Sequence, residues 1–394
     1  MKGCLTGRPA RHTVTGKVPQ MSTEVATIDR ERAGFDDLIG RAAEIMRQGG
    51  IVGFPTETVY GIGACVTQSA AVSRLRDIKQ RPTGKAFTVH LGSRDAVKGL
   101  VPDRSPLADR LIRKALPGPV TLILDADEPS AAPGAEGLDS AALEAMFYDR
   151  TIGLRVPDDD VAALLLRAVG SPVVAGSANT ADAVPARDGK DVVKGLDGLI
   201  DLVLDAGPTK YSDSSTIVRV RHNEYELVRT GVFDARTIAR LAMLRILFVC
   251  TGNTCRSPMA EGLAKNVLAE RLECEIAGLP QRGVAVSSAG TGGGFGGVSE
   301  HAVAVMTRRG IDISGHGSKS LTPGLIHQAD HIFAMTHSHA DAIRAMVPCA
   351  DERTVLLVEN ESVFDPIGGG EDDYARCARV IEQGVRHRLQ EFDV

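Results

Sequence analysis

The apolar run Ile246, Leu247, Phe248 and Val249 ends in Cys250, and Arg256 follows six residues later with Ser257 and Pro258 behind it. A short continuous apolar run of this kind predicts a strand buried on both faces. Ser257 and Pro258 form a good N-cap and first-turn pair, which predicts a helix over 258–272. The loop between them holds Thr251, Gly252, Asn253, Thr254 and Cys255. Gly252 permits unusual dihedral angles, and Asn253 can hold the loop through side-chain bonds. A loop between a strand and a helix offers backbone N–H groups to a phosphate. The helix N-terminus and an adjacent cation favour a thiolate at Cys250, a bond from Ser257 would steady it, and Arg256 can return over the loop to clamp two phosphoryl oxygens. A bare Cys-x5-Arg spacing would also fit a buried cysteine before an ordinary turn. The strand, the glycine, the asparagine and the Ser–Pro helix start in one register argue for a phosphate-handling nucleophile instead.

Past residue 245 strands (284–287, 331–335) alternate with helices (300–309, 373–389), which predicts a doubly wound parallel sheet. Before it the rhythm is irregular. Helices are expected over 35–46, 70–79, 107–115 and 161–169. Strands are expected over 51–54, 86–91, 120–124, 152–156, 172–175, 202–204, 215–220 and 226–229. That mixture predicts an α/β domain with a twisted, mixed sheet. Residues 128–138, rich in Ala, Gly and Pro, read as a loop or lid. With 394 residues and no internal repeat, the chain reads as a fusion. Its parts are a disordered basic extension (1–25), a first domain (26–236), a helical linker (237–244) and a second domain (245–394).

Composition narrows the setting. The net charge of −5 gives no general attraction to nucleic acid or to an anionic membrane, and seven scattered cysteines do not make a disulfide scaffold. No Cys/His spacing suggests a metal site, and no stretch has the apolar length of a membrane span. Residues 1–20 carry Lys2, Arg8, Arg11 and Lys17 without an apolar core, so they are not a secretory signal, and Met21 competes with Met1 as the start. A cytoplasmic enzyme is expected.

From about Leu244 onward the chain resembles the low-molecular-weight protein tyrosine phosphatase family. The Cys250–Ser257 loop carries the resemblance, with Ser288, Ala289 and Gly290, the stretch from Gly315 to Ser320, and Phe364, Asp365 and Pro366. The resemblance implies that Cys250 attacks phosphorus, that Arg256 and the loop amides stabilise the equatorial oxygens, and that Asp365 is the general acid and then the base. Cys255 is either a partner for a protective disulfide with Cys250 or a small buried residue. The polar Thr254, the Ile367, Gly368, Gly369 and Gly370 that follow Asp365–Pro366, and Ala334 to His337 resemble the bacterial protein-arginine phosphatases. A phosphorylated protein is therefore the expected substrate, with phosphoarginine preferred to phosphotyrosine. Arsenate reductases share the opening of the loop, but their downstream cysteine pair is missing, since Cys349 and Cys377 are isolated.

The first domain has no nucleophile motif of that clarity. Its polar residues gather at strand ends: Thr56 in the turn after Phe54, Lys79 and Arg81 at a helix end, Ser177 and Asn179 after a strand, and Arg155 and Arg229 on or near strand ends. Several cations, hydroxyls and glycines without an aromatic platform suit a nucleotide polyphosphate. Taken alone, Lys79 and Arg81 would merely neutralise a helix C-terminus. Residues 27–232 resemble the YrdC-type threonylcarbamoyl-AMP synthases through five motifs in order: Pro55 to Gly61, Lys79 to Pro82, Pro117 to Thr121, Leu154 to Pro157, and Gly176 to Asn179. The resemblance implies a deep basic cleft. It also implies conversion of ATP, L-threonine and bicarbonate to threonylcarbamoyl-AMP and pyrophosphate, for modification of tRNA adenosine 37. Lys79, Arg81, Ser177, Asn179 and Arg229 would hold ATP, with Mg²⁺ on its phosphates. Thr56, His90, Thr121 and Arg155 would serve threonine, with Ser215 nearby. Ser214 and Thr230 depart from the commoner Glu and Pro of the family motifs. Partners would be these small molecules and tRNA-modification proteins, with weak or no direct nucleic-acid binding. The competing reading makes this half a double-stranded RNA or tRNA-binding module, or a regulatory scaffold, with the phosphatase alone catalytic.

Overall fold

Short apolar runs become strands throughout the chain, and the way they pair distinguishes its two parts. The computed structural model describes residues 22–29, 34–181, 183–292, 296–390 and 392. The chain divides into one compact unit of Met1–Pro102 and Leu116–Ile217 and another of Asp103–Ala115 and Val218–Val394. Most of the basic extension, and with it the choice between Met1 and Met21, lies outside the described residues. The first strand among the described residues, Glu24–Thr27, begins within the last two residues of the expected disordered extension, so that end of it is ordered.

In the first unit the strands lie in the order Glu24–Thr27, Leu202–Asp205, Val52–Phe54, Gly61–Cys65, Val173–Ser177, Thr88–His90, Thr151–Arg155 and Val120–Asp125. Both neighbours of Leu202–Asp205 run parallel to it. Val52–Phe54, Gly61–Cys65 and Val173–Ser177 alternate antiparallel. The sheet is therefore mixed, as its irregular rhythm predicts. Helices Phe35–Arg47 and Asp160–Val169 cover one face, burying Ile39, Met46, Leu165 and Val169 against Phe54, Val173 and Leu202. Asp159 caps the second helix by accepting from the Ala162 N–H. Gly63 is obligatory in its strand, because a Cβ there would lie 2.9 Å from Val173 Cγ1 and 3.1 Å from the Phe54 ring. The expected lid at 128–138 holds two short 3-10 turns, Pro129–Ala131 and Pro133–Ala135.

The second unit carries four parallel strands in the order Val284–Gly290, Leu244–Cys250, His331–Ala334 and Thr354–Leu356. Alternate residues of the central strand feed two cores. Ile246 and Phe248 meet helices Arg256–Arg271 and Glu371–Gln390 on one face. Leu247 and Val249 meet Ile326 and Ile343 on the other. This two-sided burial explains why the run is apolar at every position. The residues expected as a helical linker lie in the helix Ala235–Ala242, at Met243 and at the first residue of the strand Leu244–Cys250. The helix Pro106–Ala115 also belongs to this unit. Its Arg113 and Lys114 donate to the buried Asp330 carboxylate, which also accepts from the Arg245 N–H at 2.7 Å. Among the described residues no helix is long and apolar enough to cross a membrane.

Candidate active sites

The loop after Leu244–Cys250 closes around Asn253. Its φ of 54° lies in the left-handed region, which asparagine tolerates better than most residues. The side chain holds that conformation with four bonds. Nδ2 donates to Ser257 Oγ at 2.9 Å and to Ser288 Oγ at 2.8 Å, while Oδ1 accepts from the Lys319 N–H at 2.8 Å and lies 3.1 Å from His316 Nε2. A further layer stands behind these partners. Ser288 Oγ donates to Glu261 Oε2 at 2.7 Å, and that carboxylate pairs with Lys265. Gly290 is fixed by proximity, since a Cβ there would lie 2.5 Å from the Thr251 carbonyl. This accounts for the Ser288-Ala289-Gly290 motif as support for the loop.

Cys250 is buried, and two groups address its sulfur. The Asn253 N–H donates to Sγ at 3.2 Å, and Ser257 Oγ lies 3.0 Å from it. A negative sulfur at this position would meet both, together with the N-terminus of the helix Arg256–Arg271. Arg256 is buried; it donates to the Asp365 carboxylate, to the Val363 carbonyl at 3.3 Å and to Thr251 Oγ1 at 3.4 Å. The proposed acid thus sits on the proposed clamp, with its side chain 41% exposed and open to a ligand. Cys255 is a free thiol whose Sγ lies 3.3 Å from Tyr374 OH and 3.5 Å from Thr254 Oγ1. Burial pushes the neighbouring Cys377 thiol up to about 12, and it donates to the Phe364 carbonyl. Ile367 is 69% exposed just beyond Asp365–Pro366.

In the first unit, distant segments meet at Lys79. Its Nζ donates to the Ser177 carbonyl at 2.9 Å, the Asn179 carbonyl at 2.6 Å and Asn179 Oδ1 at 3.0 Å. Burial, then the charge of Arg81, lowers Lys79 to about 8. Arg81 turns to the Lys85 and Ala86 carbonyls and lies 5.0 Å over the Phe87 ring, so it is near Lys79 without sharing its ligands. Arg155 Nη2 gathers the turn after Phe54, donating to Thr58 Oγ1 at 2.5 Å, Glu57 Oε1 at 3.0 Å and Thr56 Oγ1 at 3.2 Å. Its buried Nε has no partner. His90 pairs with Arg155 across the ladder and is pushed down to about 3, first by burial and then by that guanidinium. Thr121 and Ser215 bring their hydroxyls 3.0 Å apart. Arg229 ends the strand Glu224–Arg229, which belongs to the second unit.

A cavity of about 800 Å³ opens beside Thr56. Asp29, Glu57, Asp158 and Asp159 line it against one cation, Lys210, so it is not the basic cleft that the resemblance implies. Sequence reasoning passed over Glu57, Glu261, His339 and Tyr374. Glu57 lies within the stretch Pro55 to Gly61, and Glu261 sits one helical turn beyond Ser257, but neither position announces what it touches.

The chain is thus an α/β protein of two joined parts, one with a cysteine phosphate loop and one with a dispersed polar site. A protein-family model named for Sua5, YciO and YrdC and described as telomere recombination matches residues 44–231. The model for low molecular weight phosphotyrosine protein phosphatase matches residues 245–393. A protein-arginine-phosphatase of Geobacillus stearothermophilus is 40% identical over 153 residues, covering 37% of this chain and 94% of that protein. A threonylcarbamoyl-AMP synthase of Cellvibrio japonicus is 33% identical, covering 42% of this chain and 82% of that protein. One of Bacillus subtilis is 32% identical over half of this chain, which spans only 54% of that protein's length. The chain belongs to the Sua5/YciO/YrdC family in its N-terminal half and to the low molecular weight phosphatase family in its C-terminal half.

Proposed function

We propose that the chain is a bifunctional cytoplasmic enzyme. Its C-terminal half removes phosphoryl groups from protein through a phosphocysteine, with phosphoarginine preferred to phosphotyrosine. The two donors on Cys250 Sγ, beside the Arg256–Asp365 pair, carry this reading. Cys250 Sγ attacks phosphorus while the bond to the leaving nitrogen breaks, and Asp365 gives that nitrogen a proton. Arg256 shifts from Asp365 to the equatorial oxygens as phosphate enters. Asp365 then takes a proton from water, whose oxygen attacks phosphorus as the P–S bond breaks, releasing phosphate and the thiolate. Thr254 beside the nucleophile and the aliphatic Ile367 after Pro366 support the arginine preference, since neither offers a platform for a phenol ring.

The N-terminal half makes threonylcarbamoyl-AMP and pyrophosphate from ATP, L-threonine and bicarbonate. Carboxylated threonine attacks the α-phosphorus and pyrophosphate leaves, so positioning and charge suffice without a protein nucleophile. Lys79 with Ser177 and Asn179 would meet the phosphates, and Mg²⁺ enters on them as part of the substrate. Thr56, His90, Thr121 and Arg155 would line the amino-acid side. Product analysis by mass spectrometry tests both halves, with wild type, Lys79→Ala and Cys250→Ser each given both substrate sets. Lys79→Ala should lose the adenylate alone. Absence of pyrophosphate from the wild type, with tight tRNA binding, would overturn the synthase reading. A tyrosine preference that survives Thr254→Ile unchanged would overturn the arginine preference.

A further inference from the structure

His339 lies outside every motif that identifies the phosphate loop, yet it is buried against that loop. Its Nε2 is 2.9 Å from Thr251 Oγ1, and its Nδ1 is 2.9 Å from Thr336 Oγ1. Thr336 caps the helix His337–Met346, and its hydroxyl is 2.8 Å from Ser338 Oγ. Thr251 Oγ1 accepts from Arg256 Nη2, and a guanidinium offers donors only. The Thr251 hydroxyl proton is then free to be donated, and His339 Nε2 is placed to accept it. A ring that accepts at Nε2 carries its proton on Nδ1, where Thr336 Oγ1 accepts in turn. The Nδ1–H tautomer satisfies the series from Arg256 to Ser338, and of the two neutral tautomers it is the one in which the ring holds the Thr251 hydroxyl proton.

We propose that His339, as the neutral Nδ1–H tautomer, is a positioning residue that orients the Thr251 hydroxyl and through it the Arg256 guanidinium. The inference rests on the phosphatase reading of the Cys250 loop. Protonation would put a second donor on Thr251 Oγ1 and turn its hydroxyl off the ring. Burial and the facing charge of Arg256 oppose that protonation and push His339 down to about 4, with the Asp365 carboxylate acting weakly in the other direction.

Variants of the full chain test this on para-nitrophenyl phosphate and on a phosphoarginine peptide. His339→Ala should lower kcat about tenfold, the size of one lost hydrogen bond, with KM moving less than about threefold. His339→Gln returns an oxygen near the Nε2 position and should recover most of the loss. His339→Asn reaches only the Nδ1 position and should not. Thr251→Val should match His339→Ala, and the double variant should add nothing further. Equal losses in all three His339 variants, or none, would overturn the inference. Nitrogen-15 NMR of labelled histidine gives a readout independent of turnover, with His339→Gln identifying the resonance. A protonated Nδ1 and an accepting Nε2 at neutral pH are expected, and a protonated Nε2 overturns the inference whatever the activity. The expected resonance in a wild type inert toward every phosphorylated substrate would sink the phosphatase reading instead.

Discussion

The Cys250 loop and the Lys79 site are both proposed to receive phosphate, but they are assembled in opposite ways. Nucleophile, cradle and clamp of the first lie within the eight residues from Cys250 to Ser257. The second brings Lys79 to Asn179 across 100 residues of sequence, and Arg155 to Thr56 across 99. A contiguous loop keeps its chemical groups together in sequence, so they travel with its residues even though Ser288, His316 and Lys319 steady its shape from other segments. A dispersed site inherits its geometry from the sheet that carries it. Loop substitutions should therefore damage chemistry first, whereas substitutions in the dispersed site should mix chemistry with folding.

The largest effect is expected at the nucleophile. Cys250→Ser should lower phosphatase kcat by about 10⁴-fold or more, because a serine hydroxyl here has no base to activate it. Threonylcarbamoyl-AMP synthesis by the same variant should be unchanged. Lys79→Ala should lower synthase kcat/KM by about 10²-fold, the loss of one charge-assisted phosphate contact in a partly buried site. Its phosphatase rate should match wild type. A cross-effect in either direction would break the comparison by showing that the two sites are coupled.

Stability sharpens it next. Glu57 and Arg155 form an ion pair with side chains 1% and 7% exposed, and Glu57 Oε2 also accepts from the Asp158 N–H at 3.0 Å. Glu57→Ala leaves a buried guanidinium without its counter-charge and should cost about 3–5 kcal/mol. Asn253→Ala removes four bonds and places alanine in the left-handed region, at about 2–4 kcal/mol. Calorimetry should show each variant lowering a different transition. If both lower the same one, the halves do not unfold as separate units.

The same contrast explains what the sequence disclosed. The order Cys250, Gly252, Asn253, Arg256, Ser257 and Pro258 could be read locally, because strand, turn and helix start each have local chemistry. The bonds that steady the loop could not. Ser288, His316 and Lys319 reach Asn253 from other segments, and His339 reaches Thr251 across 88 residues. In the first unit Lys79, Ser177 and Asn179 were recognisable as motifs, but their meeting depends on strand order. The acidic lining beside Thr56 was hidden for the same reason, since Asp29, Asp158 and Asp159 converge only through tertiary structure. A helix was expected over 107–115, but the place of Pro106–Ala115 in the second unit rests on the buried Asp330.

The smallest effect is a pH dependence that should belong to one half only. Lys79 titrates at about 8 in the folded protein because burial, then the charge of Arg81, disfavours its ammonium form. If the cation is what meets the phosphates, synthase kcat/KM should hold below pH 8 and fall about tenfold per unit above it. The value kcat/KM reports the free enzyme, so phosphate binding, which would raise this pKa, does not mask the fall. For stability the sign is opposite. The folded state holds the proton less tightly than the unfolded chain, so the penalty of a buried charge is greatest below pH 8. It is relieved as pH rises from about 8 toward the unfolded value near 10.4, and stability should increase across that window. Activity falling while stability rises over the same range would be hard to obtain from general alkaline damage, which lowers both. Lys79→Ala should flatten both slopes, and phosphatase turnover should show neither. A wild-type synthase profile level to pH 9 would remove Lys79 from the phosphate contact and leave it as a tether between Ser177 and Asn179.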